Sequence, residues 1–557
     1  MKFDGVISGS GTMNWYGSGS LVLGGGNSFS GTMTASGNNG TLILANTNAL
    51  QNATLNKGTA HTLSFGVAGD NTYNLNSLTG SGDISLGGNS LNITNGASYS
   101  GNLSGTGRLR VAGETTLSGS NSFSGGVEAV SGQLNINSAS ALGTGTLTLR
   151  DGAQFRNSSG AALTNSGNNA VILNGTNQFT GGILDLGTGT VTLEGTSRLN
   201  TSTGNLILGG NLTGSSSLAK DGIGTLTLAG SNAATSFVAL DYGTLALANT
   251  NALANANLYI YGTTANKKTT FAMEGNNNYN IGELSGSSTG VLDIGANTVT
   301  LGGSGRSGSF AGQITGTGGN LVKAGTGTVT LTGTSDHTGQ TTVSGGKLVV
   351  DGALSQSAVS VQSGGTLGGS GTVSALTVAS GGTLAAGNSP GELSVTGNVI
   401  WSGGGSYDWE INSFPGTSGT NWDFLDIGGI LTIDATAQNR FIIDVISLLA
   451  NNGAGETTGF DAFTNYSFAI ATAAGGISGF DSSYFNVLTG SFANSMNPAG
   501  ATSSGSWGVT KSGNNVMLNY TAASIASAGA TAIPEPSSLA LSVLGLGLLA
   551  LCRRSRR

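Results

Sequence analysis

Across 557 residues the chain has one cysteine, two histidines and five prolines, and charged residues make up only 8% of it. With Cys552 as the only thiol, no intrachain disulfide can form and no zinc site can be built from cysteines. The net charge is −7, and because the last five residues carry four arginines, the chain ahead of them stands at −11. No Lys/Arg run occurs in that body, which excludes the basic footprint a nucleic-acid partner needs. Helical periodicity is missing too: no stretch of the first 400 residues repeats its apolar positions every 3.6 residues. Nor does Met1-Lys2-Phe3-Asp4-Gly5 lead into the apolar core of a secretory leader, which raises the expectation that the natural start lies upstream of Met1.

What is present is glycine, 98 of them, with Ser, Thr, Asn, Ala and Leu. Such bias can signal disorder, but disordered chains are poor in Leu, Val and Ile and highly charged, whereas here these residues recur at regular places. GTLILANTNALQNATL (Gly40 to Leu55) and GTLALANTNALANANL (Gly243 to Leu258) agree at thirteen of sixteen positions, 203 residues apart. The likeness continues from Asn71–Gly82 to Asn277–Ser288, and a diverged copy spans Gly132–Leu149. Inside the units a shorter element recurs as TLTL or TVTL, beginning at Thr146, Thr190, Thr225, Thr298 and Thr328. Strict alternation puts Leu and Val on one face and Thr on the other, the pattern of a half-buried strand. Glycine pairs bound these strands, as in SGGKL at Ser344 and SGGTL at Ser363 and Ser380, 19 and 17 residues apart.

A period of 17 to 20 residues with one or two strands per turn predicts a β-solenoid, in which each coil stacks on the one before and shares its apolar interior. Some twenty coils in residues 1–400, at about 4.8 Å each, would make a rod on the order of 100 Å long. The asparagines have two readings, stacked ladders inside the coil or turn residues, and the turn reading is the expectation. These repeats, above all SGGTLAAGNSPGELSVTGNV (Ser380 to Val399), resemble the autotransporter-associated β-strand repeat. The resemblance implies a right-handed parallel β-helix over residues 1–400. From 401 to 521 the texture changes, with Trp401, Trp409, Trp422 and Trp507 in aromatic strands that predict an antiparallel β domain capping the solenoid's open end. Residues 522–532, rich in Ser, Ala and Gly, read as a linker.

Candidate chemistry is sparse. Gly387-Asn388-Ser389-Pro390-Gly391 spells the G-x-S-x-G nucleophile elbow, but the elbow needs an N–H after the serine and Pro390 has none. Gly303 to Gly308 spells G-x-G-x-x-G with no helix to follow it, in a chain where chance supplies such matches. His61 and His337 lie in different repeat units, and each reads as a turn or surface histidine rather than a triad base. Asp408, Glu410, Asp423, Asp426 and Asp434 are the densest acids. Asp408 and Glu410 share a strand face, which allows a calcium site, although a solvated face opposite Trp409 explains the same alternation. No catalytic residue, cofactor or metal ligand is assigned.

The last 25 residues, IPEPSSLALSVLGLGLLALCRRSRR (533–557), carry the strongest signal. Sixteen uncharged residues from Ser537 to Cys552 predict a transmembrane helix of about 24 Å, with Arg553, Arg554, Arg556 and Arg557 holding the end in the cytoplasm. Pro534-Glu535-Pro536, an apolar segment and an arginine cluster together resemble the PEP-CTERM sorting signal of Gram-negative bacteria. The resemblance implies recognition of Pro534–Pro536 by exosortase, a membrane processing enzyme, from an inner-membrane-anchored precursor, with delivery to the cell surface or an extracellular exopolysaccharide matrix. An autotransporter's transmembrane barrel is absent from this tail, so export must run another way. The expected fold is therefore all-β: a right-handed parallel β-helix, an antiparallel β domain and a C-terminal transmembrane helix. The expected function is that of a non-enzymatic, exported surface or matrix protein. The alternatives are an adhesin binding surface glycans and, behind it, a β-helix enzyme degrading polysaccharide.

Overall fold

The computed structural model describes residues 1–525, apart from 215, 233–236, 262–266 and 272–274. The described chain is a β-solenoid of about 19 turns, on the order of 90 Å along its axis at about 4.8 Å per turn. Each turn has three faces. Thr328–Leu331 lies on the first face, Thr334–Ser335 on the third and Thr341–Val343 on the second, and Gly346–Val350 returns to the first one level on. The expected one or two strands per coil are those that alternate. The face that escaped notice is often covered by two-residue strands such as Thr334–Ser335 and Ile84–Ser85, too short to show a period.

Alternation sets which side chains enter the core. In Thr41–Leu44, Thr225–Leu228 and Thr328–Leu331 the leucines and valines point inward and the threonines outward. Parallel, in-register stacking then aligns like with like: Leu21 pairs Leu42, Leu42 pairs Leu63, Leu226 pairs Leu245 and Val329 pairs Leu348. Apolar columns therefore run the length of the interior. Corners are turned by glycine columns. A Cβ on Gly312 would sit 2.3 Å from the carbonyl oxygen of Gly290, and one on Gly333, Gly352 or Gly371 would sit 2.1 Å from the oxygen of Gly312, Gly333 or Gly352. Successive coils touch backbone to backbone there, which leaves no room for a side chain.

Among the described residues, asparagine ladders occur on the outward side of the strands and not inside the coil. Asn48, Asn74 and Asn92 stack through side-chain amides, Asn74 donating to Asn48 at 2.7 Å and Asn92 to Asn74 at 2.8 Å. Asn27 and Asn121 instead turn inward as rivets between coils. Asn27 accepts from the Ile7 N–H at 2.8 Å and donates to the Ala49 carbonyl at 2.9 Å; Asn121 likewise joins Leu103 to Ala141. Each satisfies backbone groups that the corner leaves unpaired.

The expected fold class is corrected in two places. The region after 400 is not an antiparallel domain: Val399–Ser402, Ser406–Ile411, Phe424–Ile427, Leu431–Asp434, Phe441–Ser447 and Phe485–Leu488 all continue the parallel ladders. Trp401 stacks in the column of Val378 and Ile433. The coils there are longer, with loops after Asn412 and Leu448, and in their interior Trp401, Tyr407, Trp409 and Phe441 join the buried Leu, Ile and Val. Larger side chains on an unchanged alternation give the altered texture. Antiparallel ladders, among the described residues, are confined to the end: Ser506–Ser512 pairs Asn515–Thr521, which pairs Tyr466–Ala473, and Ala501–Ser503 pairs Ser524–Ile525.

The second correction concerns the transmembrane helix. Among the described residues the only helical element is the 3-10 turn Ser482–Tyr484, and no helix is long and apolar enough to cross a membrane. Residues 537–552, where the helix was expected, lie outside the described residues.

Candidate functional site

The sorting residues Pro534, Glu535 and Pro536 and the arginines 553, 554, 556 and 557 lie outside the described residues. The acids expected near residue 410 divide. Asp426 and Asp434 are exposed, whereas Asp408 and Glu410 share an outward face and Trp409 between them is buried, as the alternation predicts. Asp408 stacks directly on Asp444 of the next coil. Burial, with Asp444 and Glu410 adding to it, pushes the Asp408 carboxyl up to about 6. Burial also raises Asp444.

Asp423, by contrast, lies inside. Its carboxylate accepts from the N–H of Gly391 at 2.8 Å and of Glu410 at 3.1 Å, and its carbonyl accepts from the Trp409 indole at 2.8 Å. Burial, then the nearby Glu410, holds its carboxyl well above the carboxylate range despite those donors. It ties one long coil to the next. Among the described residues no group of three or more His, Cys, Asp or Glu is arranged to hold a metal ion.

The histidines are buried, not at the surface. His337 lies where Phe123 lies in its own copy of the repeat, SDHTG against NSFSG, and both are fully enclosed. Its Nε2 is 3.0 Å from the Thr341 hydroxyl, which is 2.7 Å from the Ser357 hydroxyl, which donates to the Gly339 carbonyl at 2.7 Å. Because the chain ends on a carbonyl, each hydroxyl donates onward and His337 donates from Nε2. Burial lowers its pKa to about 4, so it is neutral and structural at ordinary pH. His61 is buried beside a cavity of about 380 Å³ that is also lined by Thr59, Asp83, Ser85 and Ser104.

The G-x-S-x-G stretch is a turn after the strand Thr383–Ala386, with Ser389 at φ 66° and Pro390 following it. Gly303 to Gly308 leads into the strand Gly308–Phe310 and not into a helix.

Two features went unnoticed in the sequence. Lys57, Lys220 and Lys323 are buried at corners. Lys220 Nζ donates to the carbonyls of Asp221, Gly222 and Tyr242 at 2.9, 2.6 and 2.9 Å, and Lys323 does the same to Ala324, Gly325 and Gly345. The signal was L-x-K shortly before the strand, in LNK, LAK and LVK. The second is a group of rings on the first face, Phe237 and Tyr261 exposed and Tyr259 half-buried between them. Phe237 packs edge-on against Tyr259 with centroids 5.2 Å apart, and Tyr259 stacks on Tyr261 at 5.4 Å with planes 5° apart. Tyr259 and Tyr261, two residues apart at a strand end, could have been assigned to one face from the alternation alone.

Comparison with known families gives two matches. The model described as passenger-associated-transport-repeat matches residues 16–37, 112–136, 218–247 and 321–350. Lys220 and Lys323 fall within the last two of these. The PEP-CTERM protein-sorting motif matches residues 532–557. No curated protein matches the chain. Both families are of repeat and sorting-signal type, and the chain is accordingly a β-solenoid protein that carries passenger-associated-transport repeats and ends in a PEP-CTERM sorting motif.

Proposed function

We propose that this is a non-enzymatic surface protein in which the solenoid serves as a stalk, the antiparallel hairpin of Ser506–Thr521 closes its far end, and the tail directs it to the cell surface or its matrix. The observation that carries the reading is the sorting motif at 532–557, which marks an exported protein targeted to exosortase. In this reading exosortase recognises Pro534-Glu535-Pro536, and Arg553, Arg554, Arg556 and Arg557 form the basic end of the same motif. A rod of stacked coils with little charge and few reactive groups suits a spacer, since its length grows with repeat number while each coil contacts only its neighbours.

The test is fractionation of cells making the full chain, a chain ending at residue 532, and a variant with Pro534-Glu535-Pro536 replaced by alanines. Only the full chain should reach the surface; equal surface amounts of all three would sink the proposal.

Glycan binding is a second reading, supported by the exposed rings of Phe237 and Tyr261 with the half-buried Tyr259 between them. Polysaccharide cleavage would require clustered acids around a cation with a base beside them, and the described residues do not supply that group.

A further inference from the structure

We infer that the first face of the solenoid carries a carbohydrate-binding shelf built on Phe237, Tyr259 and Tyr261, and that its ligand is a neutral polysaccharide. The inference deepens the glycan-binding reading by giving it a site and a ligand class.

Outward positions on this solenoid are mostly Thr, Ser and Asn, which makes three adjoining rings on one face a departure from the repeat. Asn257, Tyr259 and Tyr261 point outward between the buried Leu258 and Ile260, and Phe237 lies opposite Asn257 one coil earlier. The rings brace one another: Tyr259 is held by the edge of Phe237 and a face of Tyr261. Phe237 remains 42% and Tyr261 48% exposed. The shelf is thus fixed before any ligand arrives, and a contiguous exposed aromatic surface of this kind marks a binding site.

The rim identifies the ligand. Arg198 bridges Asp221 at 3.2 Å and Asp241 at 2.7 Å. The Asn257 amide oxygen accepts from Arg306 at 2.8 Å, and Glu283 accepts from the Ser285 hydroxyl at 2.9 Å. Tyr261 is close enough to Glu283 and Asp241 for both to raise its pKa, after burial and Tyr259. Carboxylates, an amide, a hydroxyl and guanidinium groups around stacked rings match a pyranose, whose C–H face stacks on an aromatic ring while its hydroxyls meet polar groups at the edge. A protein partner would call for a larger apolar surface. Three acids against two arginines, in a chain of net charge −7, disfavour an anionic glycan. The rings run diagonally, from Phe237 on one coil to Tyr259 and Tyr261 along the next, a row longer than one sugar that suits an extended polysaccharide.

The experiment is affinity electrophoresis of the full chain in gels containing hydroxyethyl cellulose, xyloglucan, galactomannan or dextran, with alginate as the anionic comparison. At least one neutral polymer should retard the chain. Tyr261→Ala and Phe237→Ala should each weaken the retardation by about tenfold, Tyr261→Phe should keep most of it, and Tyr16→Ala, an exposed ring elsewhere on the solenoid, should change nothing. Circular dichroism of every variant separates lost binding from lost fold, and Tyr261→Gln replaces any alanine variant that unfolds. No retardation by any neutral polymer, retardation by alginate alone, or wild-type retardation of folded ring variants would each overturn the shelf. The assay uses purified protein, so its outcome is independent of the fractionation test: a chain that reaches the surface but binds no polymer removes the shelf and leaves the sorting proposal intact.

Discussion

At the scale of the residue, the uncommon choices in this sequence occur where the coil turns. Lys220 is the clearest. Its ammonium group is fully enclosed, and burial lowers its pKa to about 8 against the pull of Asp221. It stays charged at neutral pH because three carbonyl oxygens replace its water. The folded-state pKa lies below the unfolded value of 10.5, so its contribution to stability is present in full above 10.5 and is lost as pH falls through about 8. Lys220→Met should lower stability at pH 7 by about 3 kcal/mol by stranding those carbonyls. The stability difference between wild type and Lys220→Met should widen from pH 7 to 10, measured by urea unfolding at each pH; a constant difference would contradict the assignment. Gly352 tests the corners from the opposite direction. An added methyl group would meet the Gly333 carbonyl oxygen at 2.1 Å, so Gly352→Ala should cost about 1–3 kcal/mol. Gly490→Ala, with open space around the Cβ position, should be within about 0.5 kcal/mol of wild type.

At the scale of the element, the strands are legible in the sequence and their sheets only in part. Thr-Val-Thr-Leu specifies a half-buried strand wherever it occurs, because alternation and β-branching act locally. What it cannot specify is which of three similar faces the strand occupies. The same L-x-K corner comes before the third face at Lys57 and Lys220 but before the first at Lys323: Thr62–Phe65 and Thr225–Leu228 lie in two separate ladders outside the large sheet that holds Thr328–Leu331. The inward Asn27 and Asn121 were hidden for a related reason: an asparagine at a turn and one riveting two coils look alike until the coil above supplies the N–H and the coil below the carbonyl. The outward rings of Tyr259 and Tyr261 were legible by alternation, whereas Phe237 joins them only through inter-coil register.

The closing hairpin is the element with the most testable role. Asn515–Thr521 covers the edge of Tyr466–Ala473 by antiparallel pairing, and Trp507 and Tyr520 pack with Phe468, Phe460 and Trp409 over the end of the core. Leu518→Asp would place a carboxylate inside this cluster, at a cost of more than about 3 kcal/mol, and detach the hairpin. The uncovered strand then offers unpaired backbone groups to another chain. Light scattering after gel filtration should show concentration-dependent oligomers for Leu518→Asp and none beyond wild type for Thr510→Asp, whose side chain is exposed. Monomeric Leu518→Asp would mean that the hairpin is not what protects this end.

At the scale of the whole molecule, the solenoid has no centre. Its pairings join each coil to the one before and the one after, from Met13–Trp15 through to Phe485–Leu488, so stability is a sum of coil and neighbour terms and need not be lost all at once. That makes damage local. Gly352→Ala disturbs contacts between the coils of Gly333, Gly352 and Gly371, and the disturbance decays with distance unless the next coil is already close to opening. Hydrogen exchange followed by mass spectrometry should show faster exchange in Thr328–Leu331, Gly346–Val350 and Gly365–Gly369, with Thr41–Leu44 and Leu91 to Ile93 protected as in wild type. Uniform loss of protection along the chain would instead require a single cooperative unit, and the stalk would then fail as a whole when one coil fails. A spacer under load benefits from the local outcome: one coil can open and close again while the coils on either side keep their register and supply the template on which it re-forms.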